Sequence, residues 1–153
     1  MPESNTDIQS RLLSRLRIAT HLLVPMPRIP GTPEWILART HAGSLLIDTV
    51  RKPRTLIWYS RLAPQITAGG LHFDAYDRHL DNLIGEVSAE SLREHDCMLS
   101  AACVRKDTRI PGDGFFRWAR ELGFDIARND LAELEFWQNQ IALVIAAYRP
   151  RAH

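Results

Sequence analysis

Apolar residues recur at helical spacing along most of the chain and fuse into continuous runs at two places, which predicts a mainly helical (α+β) fold. The first periodic stretch, 5–23, places Ile8, Leu12, Leu16, Ala19 and Leu23 on one stripe behind the capping residues Ser4, Asn5 and Thr6, and predicts an N-terminal helix. Residues 24–31 hold three prolines in eight positions, which forbids helix and predicts an extended connector. At Thr32-Pro33-Glu34 a capping residue precedes a proline and an acid, a start signal for a helix to about Thr49. Trp35, Leu37, Leu45, Leu46 and Val50 give that helix its apolar surface, and Gly43 marks a place for a kink or break.

The central pattern runs strand, helix, helix, strand, basic turn. Thr55 to Tyr59 is β-branched and aromatic and predicts a short buried strand. Ser60 caps a short helix through Ile66, and Ala68-Gly69-Gly70 is a turn. From Asp74 to Val87, Tyr76, Leu80, Leu83, Ile84 and Val87 fall on one face, opposite Asp74, Asp77, Arg78, Asp81 and Asn82. The polar residues 88–96 separate this helix from a second strand, Met98 to Val104, followed by the basic turn Arg105 to Arg109 and a turn at Pro111-Gly112-Asp113-Gly114. This order predicts a winged-helix-like centre with a small antiparallel sheet, with 74–87 as recognition helix and 105–109 as wing.

Phe115 and Phe116 then anchor a short helix with Trp118 and Leu122, stopped by Gly123. Asp130-Leu131-Ala132-Glu133 reads as a capping box opening a helix to Tyr148, with Leu134, Trp137, Ile141, Val144 and Tyr148 on one stripe. Phe136, Leu143, Ile145 and Ala147 add a second apolar side. That helix is therefore either sandwiched in the core, the preferred reading, or shared in a homodimer through 130–148. One domain is expected, with helix 5–23, connector 24–31, centre 32–122 and helix 129–148. All four tryptophans read as core, and Trp58, if exposed beside Arg61, would instead offer a surface for stacking a single strand.

Composition narrows the class. With 153 residues, 45% hydrophobic and 24% charged, the chain can bury one ordinary core. No apolar run reaches the roughly 18–20 residues that cross a bilayer, and Glu3 and Asp7 make the N-terminus unlike a signal peptide, so a cytoplasmic protein without membrane contact is expected. Cys97 and Cys103, taken as one strand, would lie roughly 20 Å apart, too far for a disulfide, and no histidine or cysteine completes a metal site around them. No metal or cofactor is expected.

The phrase Ile57-Trp58-Tyr59-Ser60-Arg61-Leu62-Ala63 resembles the strand-into-helix opening of the winged-helix half of the DNA alkyltransferase family, and the likeness covers about a third of the chain. It implies a winged-helix fold and DNA contact. The family's Pro-Cys-His-Arg acceptor motif is absent, and Cys97 stands in His95-Asp96-Cys97-Met98, so alkyl transfer is not implied. Met98-Leu99-Ser100-Ala101, Lys106-Asp107-Thr108 and the run from Pro111 to Phe116 also look like a recurring small bacterial family, which implies no activity.

Net charge is +1, so nucleic-acid contact depends on local clustering of cations. Of the 19 basic residues only Lys52 and Lys106 are lysines, and arginine favours bidentate pairing with phosphate or carboxylate. Arg51, Lys52, Arg54 and Arg61 together with Arg105, Lys106 and Arg109 predict a basic rim that grips the backbone of double-stranded DNA, and Arg78 and Asn82 are placed to read base edges. Asp74, Asp77 and Asp81 beside Arg78 oppose this. They support the alternative, an adaptor or immunity-like protein whose acidic helix meets a protein partner. Regulation or a mobile element is the expected setting for the DNA-binding reading.

Catalytic residues are not expected. His72/Asp74, His79, His95/Asp96 and Glu86 have no recognised spacing. A nuclease reading fails because Val104 stands where an acid should precede Lys106 by two, and Gly112-Asp113-Gly114 lacks the surroundings of a phosphate loop.

Overall fold

The computed structural model describes residues 27–150, so the expected helix 5–23 and the first part of the connector lie outside the described residues. Thr32 caps helix α1 (Pro33–Arg51), its hydroxyl accepting the Trp35 amide at 3.3 Å. The helix runs through Gly43 without a break. A Cβ at Gly43 would make only an ordinary contact with Val87 Cγ1 at 3.7 Å, so neither a kink nor tight packing marks the position where a kink was expected.

Beyond α1 come β1 (Ile57–Trp58), α2 (Tyr59–Leu62), 3-10 turns at Ala63–Gln65 and Ala68–Gly70, α3 (Arg78–His95), a 3-10 turn at Leu99–Ala102, β2 (Cys103–Val104), α4 (Asp113–Glu121) and α5 (Asp130–Tyr148). The mainly helical expectation holds. Trp35, Leu46 and Val50 of α1, Leu80, Leu83 and Ile84 of α3, Tyr59, Leu62, Met98, Phe115, Phe116 and Val144 form one core. No described helix is long and apolar enough to cross a membrane.

The sheet corrects the sequence reading. β1 and β2 pair in parallel, Ile57 opposite Cys103 and Trp58 opposite Val104, whereas an antiparallel sheet was expected. Parallel pairing follows from the connection, because the chain leaves β1 and returns to β2 through α2 and α3, a crossover rather than a hairpin. Both apolar runs also contribute less strand than predicted. Thr55 takes a left-handed φ of 63° and Tyr59 has already turned into α2, so only two residues of the first run pair.

In the second run, Leu99–Ala102 winds as a 3-10 turn because side chains, not a ladder, satisfy its backbone. Ser91 Oγ accepts the Leu99 amide at 2.9 Å and donates to Cys97 O at 2.6 Å. Ser88 Oγ accepts the Ser100 amide at 2.9 Å, Gln140 Oε1 accepts the Met98 amide at 2.9 Å, and Trp137 donates to Ala101 O at 2.9 Å. Ser88 and Ser91 therefore continue the inward face of α3 beyond Val87, where the sequence reading ended the helix. Cys97 and Cys103 flank this turn as buried free thiols, not as positions on one strand. Burial pushes the Cys97 thiol up to about 11 and the Cys103 thiol well above its ordinary value.

The serine network carries a stability prediction. Ser91→Ala leaves the Leu99 amide and the Cys97 carbonyl without their buried partner, an expected loss of about 1–3 kcal/mol. Urea unfolding measures it, and an unchanged midpoint would mean that water replaces the hydroxyl.

At α5 the cap is Asn129, whose Oδ1 accepts the Ala132 amide at 2.9 Å, one residue before the expected capping box. Glu133 is drawn away to Arg120 at 3.0 Å. Gln140 and Val144 are buried, so α5 packs on the core along one face and is not sandwiched as the preferred reading had it, and Leu143 and Ala147 of its second apolar side are exposed along with Leu131.

Candidate nucleic-acid interface

The basic rim is built from three loops that meet beside β1. Residues 52–55 leave α1 in a tight bend held from the far end of the chain by Arg149. Its guanidinium Nη2 donates to Thr55 Oγ1 at 2.7 Å, Val50 O at 3.1 Å and Lys52 O at 3.3 Å. The bend exposes Lys52 and Arg54. Arg61 projects from the last turn of α2. Arg109 comes from the turn after β2, closed by Arg105 N to Ile110 O and Arg109 N to Arg105 O, both 2.9 Å, with Arg109 itself at φ 62°.

These loops enclose two adjoining concavities. One of about 270 Å³ is lined by Arg54, Leu56, Ile57, Trp58, Arg61 and Arg109. The other, about 480 Å³, shares Arg54, Leu56, Ile57 and Arg61 and adds Lys52, Asp48 and Gln65 among its walls. Four cations thus face one carboxylate. Among the described residues, Lys52, Arg54, Arg61 and Arg109 form no ion pair, in contrast to Arg28, Arg39, Arg105 and Arg120. An anion entering here would find guanidinium groups whose donors are not already committed to carboxylates.

The structure gathers Arg61 and Arg109 with Lys52 and Arg54 of the expected rim, whereas Arg51, Arg78, Asn82, Arg105 and Lys106 line neither concavity. Arg105 is bound by both oxygens of Asp107 at 3.1 Å and lies over the Tyr76 ring, 5.3 Å from its centroid. That pairing holds the exposed Asp107 carboxyl below its usual range and pushes Arg105 up. Lys106 is exposed. Arg51 is turned toward α5, donating to Tyr148 O at 3.1 Å. Arg78 and Asn82 sit in the first turns of α3, exposed and half-buried, and line neither concavity.

The acidic face is dispersed. Asp77 is the N-cap of α3: Oδ1 accepts the Leu80 amide at 2.7 Å, and Oδ2 accepts the Asp74 amide and Arg28, each at 2.9 Å. Burial alone would raise its pKa, but the Leu80 and Asp74 amides, then Arg28, outweigh it and hold the carboxyl below its ordinary value. Asp81 is half-buried against α4, where a Cβ at Gly114 would lie 2.6 Å from its carboxyl carbon. Burial raises its pKa and Arg117 opposes the rise. Asp74 is exposed, paired with His72 at 3.0 Å. Helix α3 starts four residues later than the apolar period suggested because Asp77, a strong cap, spends its carboxylate on the helix end.

Asp77→Ala is accordingly expected to cost about 1–2 kcal/mol at neutral pH. A depressed carboxyl stabilises the fold above its unfolded pKa and loses that contribution as pH falls through the folded value. The gap between wild type and variant should therefore close in acid. Urea unfolding at pH 7 and in mildly acidic steps below pH 4 tests it, and a gap constant across that range would remove the cap as the cause.

The remaining polar candidates are engaged structurally. Glu86 accepts from Trp35 Nε1 at 2.7 Å and Arg39 at 3.0 Å, and His95 packs edge-on against Tyr148. Of the site residues, Arg149 escaped the sequence reading and Trp58 was assigned to the core, with a stacking surface as the alternative if it stood exposed beside Arg61. It is partly exposed and forms a wall of the smaller concavity with Arg61, whereas Trp35 is fully buried. Its place between Arg54 and Arg61 in the chain was the available signal. Arg149 stood just past the last apolar position of α5, with only Pro150 beside it to mark a helix end.

Comparison of the chain with protein-family models, with curated proteins and with solved structures gives no match, so the functional reading rests on the residues around this concavity.

Proposed function

We propose that the protein is a non-catalytic DNA-binding protein that grips the phosphate backbone through Lys52, Arg54, Arg61 and Arg109. The observation that carries the reading is the convergence of Arg54 and Arg61 with Arg109, distant in sequence, around one concavity with a single nearby carboxylate, Asp48. Within a winged-helix-like centre the 105–109 turn is the wing-like loop. Arg105, bound by Asp107, adds little charge to it. Arg78 is the one exposed cation at the start of α3 and is left for base or phosphate contact.

Physical weighting also favours this reading over a protein partner on the 74–82 face. Of the three carboxylates proposed for such a partner, Asp77 caps α3 and Asp81 is half-buried, which leaves Asp74 exposed. A regulatory or mobile-element role is consistent with backbone contact and rests on no residue in particular.

The test is fluorescence anisotropy of a random-sequence duplex with the full chain at about 50 and 200 mM salt, against an Arg54/Arg61/Arg109→Ala variant. If each arginine meets one phosphate, the variant's log–log salt slope is shallower by about 2.7, and the wild-type affinity falls about forty-fold further than the variant's over that range. Equal salt slopes for the two proteins would sink the proposal.

A further inference from the structure

We infer that the smaller concavity takes an unpaired nucleotide, with the base stacked on Trp58 and its flanking phosphates held by Arg54, Arg61 and Arg109. The ligand class is a single-stranded nucleic acid. The inference rests on the nucleic-acid reading above and names which form of nucleic acid the site fits.

The shape of the site is the first argument. A space of about 270 Å³ has room for one flat ring, and the adjoining concavity that shares Arg54, Leu56, Ile57 and Arg61 leaves space for the strand on either side of it. A duplex presents phosphates on its outside and hides its bases in the stack, so it can touch the rim of such a concavity but cannot fill it. An unpaired base can enter.

The lining is the second argument. Leu56, Ile57 and Trp58 give the concavity an apolar wall, and the three arginines stand around them. An aromatic face beside guanidinium groups is the arrangement that binds single strands without sequence preference, since every base has a π-face and every linkage a negative charge. Phosphate contact alone would need the cations and leave the indole unexplained.

The indole N–H is the third argument. Trp35 and Trp137 spend theirs on Glu86 and Ala101 O, and that of Trp118 is buried without a partner. Trp58 is partly exposed, and its N–H has no hydrogen-bond partner among the described residues. Its pairing in β1 opposite Val104, with the bend behind it fixed by Arg149, holds the backbone that carries the ring, so the wall of the concavity is formed before a ligand arrives.

The experiment compares fluorescently labelled single strands, a 15-mer of deoxythymidine and one of uridine, with a duplex of equal length and with an abasic single strand that keeps the phosphates. Wild type, Trp58→Leu, Trp58→Phe and the triple arginine variant are titrated, with circular dichroism melts to establish that each folds. The expected result is tighter binding of a single strand than of duplex, and on the order of ten-fold weaker single-strand binding for Trp58→Leu, with Trp58→Phe retaining most of it. The deoxy and ribo strands identify which sugar the site accepts, and preference for either supports the inference.

The abasic strand keeps the test decisive even if Trp58→Leu unfolds, because it removes the base while the protein stays intact. If it binds wild type as tightly as the thymidine strand, or if folded Trp58→Leu binds single strands as wild type does, base stacking is overturned while the phosphate grip survives. If neither duplex nor single strand binds, the nucleic-acid reading itself falls.

Discussion

Gly69→Ala should lower the melting temperature by about 10 °C, through a loss of about 3–4 kcal/mol. Gly69 has φ 84°, a left-handed conformation that costs an alanine roughly 1–2 kcal/mol. A Cβ there would also lie 2.2 Å from the Glu34 carbonyl oxygen, which is backbone in the first turn of α1 and cannot swing aside as a side chain would. The facing loop is equally fixed, since His41 Nδ1 accepts the Thr67 and Ala68 amides at 3.2 and 3.3 Å. Relief of the clash must therefore separate α1 from the Ala68–Gly70 turn, two elements packed along the core. Gly31 supplies the control. It shares φ +84° but has nothing within 4 Å of its Cβ position, so Gly31→Ala carries only the conformational cost. Thermal unfolding followed by circular dichroism measures both, and equal shifts would show that the Glu34 carbonyl gives way.

The helices were legible because capping and periodicity are local. Thr32-Pro33-Glu34 and the apolar stripe after Asp130 signal α1 and α5 within a few residues of where they form. The strands were not, because a run such as Met98 to Val104 looks the same whether its backbone is satisfied by a neighbouring strand or by Ser88, Ser91 and Gln140. Those three partners come from α3 and α5 and read as ordinary polar residues in the sequence. Strand direction was likewise set by the crossover through α3, a property of topology rather than of any short segment. Of the candidate site, the cations were visible as residues, and their partition was not. Nothing local distinguishes Arg105, bound by Asp107 two positions on, from Arg109, which faces Arg54 and Arg61 across the concavity. The acidic helix misled for a related reason: Asp77 was read as a charge on a face when its position makes it a cap.

Arg149→Met should cost about 3 kcal/mol and weaken nucleic-acid binding several-fold, although Arg149 lines neither concavity. The methionine keeps most of the apolar stem and removes the fork, so the loss isolates the hydrogen bonds. Val50 O and Lys52 O belong to the last turn of α1 and its cap, where a cation from outside the helix both satisfies orphan carbonyls and opposes the negative end of the dipole. Thr55 Oγ1, at 2.7 Å, ties the same guanidinium to the residue held at φ 63° before β1. Without it the 52–55 bend is free to relax toward ordinary backbone, and Lys52 and Arg54 lose the positions from which they meet Arg61 and Arg109. Arg149→Lys keeps the charge but has no planar fork to span three acceptors, so it should recover the dipole contribution of about 0.3–1 kcal/mol and little of the binding. Urea unfolding gives the stability arm and anisotropy with a labelled strand gives the binding arm. Loss of stability with unchanged affinity and salt slope would show that Lys52 and Arg54 reach the ligand without a fixed loop, whereas joint loss identifies Arg149 as the residue that positions the rim.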